Sequence, residues 1–103
     1  MRIGVVIPCY NEGDVIESTI TAIKRLGIFD EIVVVDDGSQ DDTFIKLKNL
    51  DVKSIRLDKN KGKGNAVREG LKCINADIVV LVDGDVGYTA GEISKVLKPV
   101  VEG

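Results

Sequence analysis

Hydrophobic and polar residues follow one another along this chain in blocks. Four apolar blocks rich in Val and Ile predict strands, at 2–8, 31–35, 52–57 and 76–82. Apolar residues at helical spacing between them predict helices at 14–26, 41–49 and 65–74. A further helix should begin at Thr89 and end or kink at Pro99. The third strand is short and polar, which is typical of a sheet edge.

Alternating strands and helices with short connections predict an α/β fold. The expected architecture is a three-layer α/β/α domain with a mainly parallel sheet, right-handed crossovers and strand order 3-2-1-4. A chain of 103 residues is the size of one domain, so residues 1–103 are expected to fold as a unit.

Local signals predict where the helices begin and end. Asn11 or Gly13 could cap the first helix, and Gly27 should close it. Ser39, followed three residues later by Asp42, resembles a capping box for the second helix. That helix is expected to bury Phe44, Ile45 and Leu47, and Pro8 is expected to end the first strand.

Polar clusters follow three of the four predicted strands, at 10–12, 36–39 and 83–85. Because parallel strands present their carboxyl ends at one edge of the sheet, these clusters are expected to meet there. That convergence is the strongest inference from the pattern alone.

The cluster Asp83-Gly84-Asp85 comes directly after a run of apolar β-formers. Two poorly solvated carboxylates this close repel each other unless a cation lies between them. A divalent ion with oxygen ligands, carrying a phosphorylated substrate, would meet that need. The alternative is a polar turn, since Asp-Gly is common in turns.

The other two clusters offer polar and aromatic groups to the same edge. An acid after the second strand, Asp36 or Asp37, could accept hydrogen bonds from a ribose or a base, whereas the alternative is helix capping. Tyr10 could stack on a base or simply pack on its loop. Glu12 could bond ligand amide or hydroxyl groups or favour the start of a helix.

A basic, glycine-containing loop precedes the third helix. Lys61, Lys63 and Arg68 lie near Gly62 and Gly64, where a helix N-terminus could bind phosphate. The loop matches neither a Walker A motif nor a dinucleotide-binding fingerprint. A solvated basic loop is the alternative.

Composition narrows the classes of function. The net charge of −3 does not favour a nucleic-acid partner. The absence of histidine excludes Ser-His and Cys-His nucleophile systems, so Cys9 is expected to be a buried filler. Cys9 and Cys73 do not form a disulfide scaffold, and no apolar run could cross a bilayer, so a cytoplasmic location is expected.

Four stretches together resemble the amino-terminal half of the family 2 glycosyltransferases, whose GT-A fold is Rossmann-like. They are residues 6–12, 34–43, 60–66 and the D-x-D at 83–85. In order, they are similar to the family's opening strand and loop, its second strand and turn, its glycine-rich helix entry and its metal-binding motif. The nearest likeness is to dolichol-phosphate mannosyltransferase-like enzymes.

The resemblance implies transfer of a sugar from a nucleotide-diphosphate donor, linked to UDP or GDP, with Mg²⁺ or Mn²⁺. Asp83 and Asp85 would hold the metal against the diphosphate. The donor-binding residues implied are Pro8, Tyr10, Glu12, Val35, Asp37, Lys63, Asp83, Gly84 and Asp85. Among these, Val35 and Asp37 would contact the base. The acceptor would be a polyprenyl phosphate or a small molecule.

Family enzymes continue well past the D-x-D, and the expected catalytic base would lie beyond Gly103. The chain is therefore expected to be the donor-binding half, either a fragment or a natural half-protein, membrane-peripheral if part of a longer enzyme. An open edge on the fourth strand would invite self-association. Two alternatives stay open: a donor-binding or assembly module without turnover, and a response-regulator receiver, which is disfavoured because its acids should follow the first and third strands.

Overall fold

The computed structural model describes residues 1–87 and 100–101. The elements in chain order are β1 (Ile3–Cys9), α1 (Ile16–Leu26), β2 (Glu31–Asp36), α2 (Thr43–Lys48), β3 (Lys53–Arg56), α3 (Lys63–Cys73), β4 (Ile78–Leu81) and β5 (Val100–Val101). The helix expected from Thr89 to Pro99 lies outside the described residues. No helix within residues 1–87 is both long enough and apolar enough to cross a membrane.

The sheet confirms the predicted topology and extends it. Its order is β3-β2-β1-β4-β5, with the first four strands parallel. β5 adds to the outer side of β4 in antiparallel pairing, where Ile78 faces Val101 and Val79 faces Val100. The prediction of an open edge on the fourth strand is therefore wrong over these two residues, because β5 occupies that edge.

Each face of the sheet is covered by helices, which gives the predicted three layers. On one face, α1 and α2 pack their apolar side chains over β1 and β2, with Ile16, Ile20, Ile23, Leu47, Val5, Ile7 and Val34 fully or nearly fully buried. On the other face, α3 covers a second cluster made of Val6, Val33, Val35, Ala66, Ile74 and Val79. Burial of this apolar surface is the main favourable term in folding.

Within the helices and strands of residues 1–87, two large apolar residues are exposed, Ile45 and Leu81. Ile45 was predicted to be buried, but it is 65% exposed. The helix α2 spans only six residues, so one face, which carries Leu47, meets the sheet while Ile45 faces outward. Leu81, the last residue of β4, is 41% exposed.

The element ends correct some of the local predictions. β1 continues through Pro8 to Cys9, and the Pro8 carbonyl accepts the Gly84 N–H at 3.1 Å, beyond the end of β4. The N-terminus of α1 has no side-chain cap, because the Glu12 carbonyl accepts the Val15 and Ile16 N–H groups instead. Gly27 closes α1 in the left-handed conformation with φ 65°, as predicted.

Candidate functional site

A cavity of about 190 Å³ opens at the carboxyl edge of the sheet, where β1, β2 and β4 end and α3 begins. Its lining residues are Pro8, Cys9, Tyr10, Glu12, Asp37, Lys63, Ala66, Asp83, Gly84 and Asp85. All but one of the predicted donor-binding residues therefore lie around a single cavity. The exception is Val35, whose side chain is fully buried in the core beneath α3.

Sequence reasoning missed two of the lining residues. Cys9, the last residue of β1, lies between the predicted residues Pro8 and Tyr10, and Ala66 lies three residues after Lys63 on α3. Chain adjacency to Tyr10 and helical spacing from Lys63 were the signals that could have found them. Lys61 and Arg68, considered for phosphate binding, are exposed and do not line this cavity.

One wall of the cavity is held by what we term the loop clasp, in which residues 11–13 meet residues 39–43. Three successive N–H groups each donate to a side-chain oxygen: Asn11 to Ser39 Oγ at 2.8 Å, Glu12 to Thr43 Oγ1 at 3.0 Å and Gly13 to Asp41 Oδ2 at 3.1 Å. α2 has no side-chain cap, and the Ser39 hydroxyl accepts the Asn11 N–H instead, so the predicted capping role is wrong. The clasp fixes the loop that carries Tyr10 and Glu12.

Asp41 supplies the carboxylate among the three side-chain acceptors of the loop clasp. It accepts hydrogen bonds from the Thr43 hydroxyl and the Thr43 N–H as well as from Gly13. Desolvation alone would raise the pKa of Asp41, but these hydrogen bonds outweigh it and hold the pKa below its ordinary value. The clasp thus depends on an ionised carboxylate at neutral pH.

Asp37 joins the second strand to the loop before α3. Its two carboxylate oxygens accept the Lys61 N–H at 3.0 Å and the Gly62 N–H at 2.9 Å, and the residue is only 3% exposed. Each carboxylate oxygen has a second lone pair, so Asp37 can also accept a hydrogen bond from a ligand in the cavity. Asp36 is fully buried, and its Oδ1 accepts the Ser39 N–H at 3.0 Å.

The opposite wall is what we term the acidic turn, residues 83–87, which follows β4. Gly84 is buried at its centre, while Asp83 and Asp85 on either side are exposed. A side chain at Gly84 would place its Cβ 2.7 Å from Cys9 Cβ and 3.1 Å from the Pro8 carbonyl oxygen. Only glycine therefore allows the turn to pack this closely against the end of β1.

Charge accumulates between the two walls. The Lys63 ammonium, on the first turn of α3, pairs with Asp83. Partial burial, followed by the charges of Asp85, Asp41 and Asp83, raises the pKa of Glu12. Beneath them, burial, followed by the charge of Asp36, strongly raises the pKa of the Cys9 thiol, which suits the predicted filler and not a nucleophile.

The side chains of this cavity fit a hard divalent cation that is only partly ligated by protein. Asp83 and Asp85 supply carboxylate oxygens, which Mg²⁺ prefers, and after desolvation their charges contribute to the raised pKa of Glu12. Within residues 1–87, no group of three His, Cys, Asp or Glu side chains could enclose a metal. Mg²⁺ is usually bound through one or two carboxylates together with substrate phosphates.

The family model for glycosyl transferase family 2 matches residues 4–103. The chain belongs to glycosyl transferase family 2. This confirms the resemblance found in the sequence, and the receiver alternative is thereby set aside.

Two curated relatives of this family 2 chain act in archaea. It is 37% identical to a dolichol-phosphate mannosyltransferase of Pyrococcus furiosus, covering 100% of the chain and 31% of the relative. It is 32% identical to a UDP-N-acetylglucosamine–dolichyl-phosphate N-acetylglucosaminyltransferase of Methanococcus voltae, covering 96% and 47%. The chain thus spans less than half the length of either relative.

Solved structures agree with the fold. Glucosyl-3-phosphoglycerate synthase of Mycobacterium tuberculosis, in complex with Mn²⁺, UDP and phosphoglyceric acid, superposes with a TM-score of 0.80 and 33% identity, covering 91% of this chain and 36% of that one. A Pyrobaculum calidifontis mannosyltransferase in complex with GDP-Man and Mn²⁺ gives 0.76 and 27%, covering 85% and 29%. The chain therefore has the GT-A architecture of nucleotide-sugar-dependent transferases.

Proposed function

We propose that this family 2 chain is the donor-binding part of a metal-dependent glycosyltransferase that uses a UDP- or GDP-linked sugar. The observation that carries the proposal is convergence: Tyr10, Asp37, Lys63, Asp83 and Asp85 come from four separate segments and line one cavity. Bases, diphosphates and divalent cations need aromatic, cationic and carboxylate partners, and the cavity supplies all three.

The donor would lie across the cavity from the loop clasp to the acidic turn. Tyr10, 38% exposed, offers a face for the nucleobase, and buried Asp37 offers a hydrogen-bond acceptor. Pro8, Glu12 and Gly84 complete the walls around the ribose and the diphosphate.

Asp83 and Asp85 would hold Mg²⁺ or Mn²⁺, with Lys63 close enough to contact the diphosphate. A divalent ion in this place acts as a Lewis acid that neutralises charge on the departing nucleoside diphosphate. Lys63 adds a second positive charge on the same side, since its ammonium can exchange Asp83 for a phosphate oxygen. The cavity of about 190 Å³ is smaller than the roughly 300 Å³ at which ligand pockets begin, so we infer that the sugar extends past the described walls.

The acceptor proposed is a polyprenyl phosphate, as in the names of the archaeal relatives. Because the chain covers less than half the length of those relatives, acceptor binding and the catalytic base are proposed to depend on sequence that the chain does not contain. The same coverage favours a second candidate function, donor binding without turnover by the 103-residue chain itself.

Isothermal titration of the purified chain with UDP and with GDP, each with and without Mn²⁺, tests the donor site. Wild type should bind at least one nucleotide in a Mn²⁺-dependent manner, and Asp85→Asn should lose that dependence. Asp51→Asn, which changes an exposed carboxylate outside the cavity, is the matched control and should bind like wild type. Equal binding by Asp85→Asn, or no metal-dependent binding by wild type, contradicts the proposal.

A donor-hydrolysis and transfer assay with a polyprenyl phosphate then separates the two candidates. Turnover by the 103-residue chain would reject the binding-only function. Binding without turnover would support it for the chain as given.

A further inference from the structure

Thr19 is a buried hydroxyl on the apolar face of α1 with no role in the donor site as described so far. It is 0% exposed among isoleucines that form the core. Its Oγ1 lies 2.8 Å from the Gly84 carbonyl oxygen, to which it donates, and 2.8 Å from the Gly87 N–H, from which it accepts. One side chain of α1 therefore binds the acidic turn at two points.

The acidic turn needs such support because its functional carboxylates cannot supply it. Asp83 and Asp85 are exposed, so the direction in which they point is set by the backbone between and after them. On the β1 side that backbone is held by the Gly84 N–H, which donates to the Pro8 carbonyl. On the α1 side it is held by Thr19. Gly84 is thus bound through both its N–H and its carbonyl, one to each neighbour.

The contacts of Thr19 differ from those of its neighbour Ser18. A threonine within a helix can bond to a carbonyl one turn back, and both residues lie within reach of the Val15 carbonyl, Ser18 at 2.8 Å and Thr19 at 3.2 Å. Thr19 makes a shorter bond to Gly84 and receives one from Gly87, 65 and 68 residues away in sequence. Its hydroxyl therefore serves the turn more than the helix.

We propose that Thr19 is a positioning residue for the metal-binding carboxylates. By bonding to both Gly84 and Gly87, it fixes the acidic turn so that Asp83 and Asp85 face the cavity. Since the Glu12 carbonyl accepts the Val15 and Ile16 N–H groups at the start of α1, Thr19 also ties the position of the acidic turn to the loop that carries Tyr10 and Glu12. This inference deepens the proposed function and rests on it for the identity of the bound ion.

Three variants test the proposal. Thr19→Val keeps the shape but removes the hydroxyl, Thr19→Ser keeps the hydroxyl, and Ser18→Ala removes only the helix bond of the neighbouring residue. The first readout needs no ligand: amide hydrogen exchange followed by NMR in the metal-free chain. Thr19→Val should speed exchange of the Gly87 N–H by about tenfold, as loss of one hydrogen bond predicts. The Asp37 N–H, which donates to the Cys9 carbonyl at 2.9 Å on the opposite wall, is the internal reference and should not change.

The second readout is Mn²⁺ affinity measured by electron paramagnetic resonance in the presence of UDP or GDP. Thr19→Val should bind Mn²⁺ about tenfold more weakly, the usual cost of losing a group that orients a metal ligand. Nucleotide affinity without metal should stay at the wild-type value. Thr19→Ser and Ser18→Ala should match wild type in both readouts.

Unchanged Gly87 exchange and unchanged Mn²⁺ affinity in Thr19→Val would overturn the proposal. So would a loss in Thr19→Ser as large as in Thr19→Val, because the hydroxyl would then not be the group that matters. If wild type binds no Mn²⁺, the proposed function fails separately, and the Gly87 exchange rates still decide whether Thr19 holds the turn.

Discussion

The two walls of the cavity are built in contrasting ways. The loop clasp is a network in which three successive backbone N–H groups meet Ser39, Thr43 and Asp41, and Asp37 is buried behind it. The acidic turn exposes both of its carboxylates, and Asp83 pairs with a lysine. The difference indicates that the wall proposed for the nucleoside is already ordered without a ligand. The wall proposed for the metal exposes two carboxylates that a bound cation would neutralise.

The contrast is sharpest in the two carboxyl groups whose pKa values move in opposite directions. Asp41 in the clasp is stabilised as the anion, whereas Glu12, which faces the acidic turn, is destabilised as the anion.

The largest effect is expected from Asp41→Asn, which removes the charge of the carboxylate that accepts the Gly13 and Thr43 N–H groups. Because charged hydrogen bonds to Gly13 and Thr43 are weakened, the free energy of unfolding should fall at pH 7, by about 1 kcal/mol after solvent screening of the exposed Asp41 carboxylate. The pKa of Asp41 is lowered in the folded state, so its stabilising effect is present above its ordinary pKa and is lost as the pH falls through the lowered value. Urea unfolding at pH 7 and at about pH 2 should therefore show a deficit that disappears in acid.

Asp42→Asn is the control for that experiment. Asp42 is the adjacent acid, also exposed, and its carboxylate lies 3.5 Å from the Lys46 ammonium in an i,i+4 pair. Exposed ion pairs contribute at most about 1 kcal/mol, so loss of the Asp42 charge should lower the free energy of unfolding by well under that value. An equal loss of unfolding free energy in Asp41→Asn and Asp42→Asn would contradict a stabilising role for the Asp41 carboxylate in the loop clasp.

An intermediate effect is expected from Lys63→Met, with opposite signs for two ligands. Affinity for UDP or GDP with Mn²⁺ should fall by about threefold, since an exposed charge contact is lost. Affinity for Mn²⁺ alone should rise by a similar factor. The Lys63 ammonium would no longer pair with the Asp83 carboxylate or repel a cation bound there.

Lys61→Met, two residues earlier, provides the matched substitution. Its backbone N–H to Asp37 is retained and its side chain does not line the cavity, so neither affinity should move. Calorimetric titrations of both variants decide the matter, and a fall in both affinities for Lys63→Met would contradict the description of the acidic turn.

The smallest effect is expected from Glu12→Gln, which should slightly raise the free energy of unfolding at pH 7. The pKa of Glu12 is raised above 4.5 in the folded state, so the penalty for ionising it grows as the pH rises from that value through the raised pKa. At about pH 3.5 the Glu12 carboxyl group is protonated in both the folded and the unfolded chain, so the stability gained by Glu12→Gln should vanish there. Urea unfolding at the two pH values measures this, and a loss of stability at pH 7 would be the contrary result.

The arrangement of the site was predictable because it follows from topology. Once four parallel strands are recognised, their carboxyl ends must share an edge, and Tyr10, Asp37 and Asp83 are brought together without knowledge of any side-chain contact. Gly27 was predictable for a different reason, since a left-handed residue at a helix end strongly selects glycine.

The contacts that hold the walls were not predictable from local rules. Ser39 fits a capping pattern, but its hydroxyl accepts the Asn11 N–H, 28 residues away in sequence. A pattern of a few neighbouring residues cannot predict a partner at that separation. Thr19 left a weak signal, a hydroxyl on a helix face otherwise filled by isoleucine. Its partners Gly84 and Gly87 could be identified only after β4 was placed beside β1.

The two cysteine thiols of this chain differ in burial. Cys73 is exposed at the end of α3, while Cys9 is 4% exposed at the floor between the two walls. A maleimide should therefore modify Cys73 in the native protein at once and reach Cys9 only when the end of β1 separates from its neighbours. The rate at which Cys9 is modified therefore measures how often the cavity floor opens. A nucleotide bound above Cys9 should lower that rate in proportion to its occupancy.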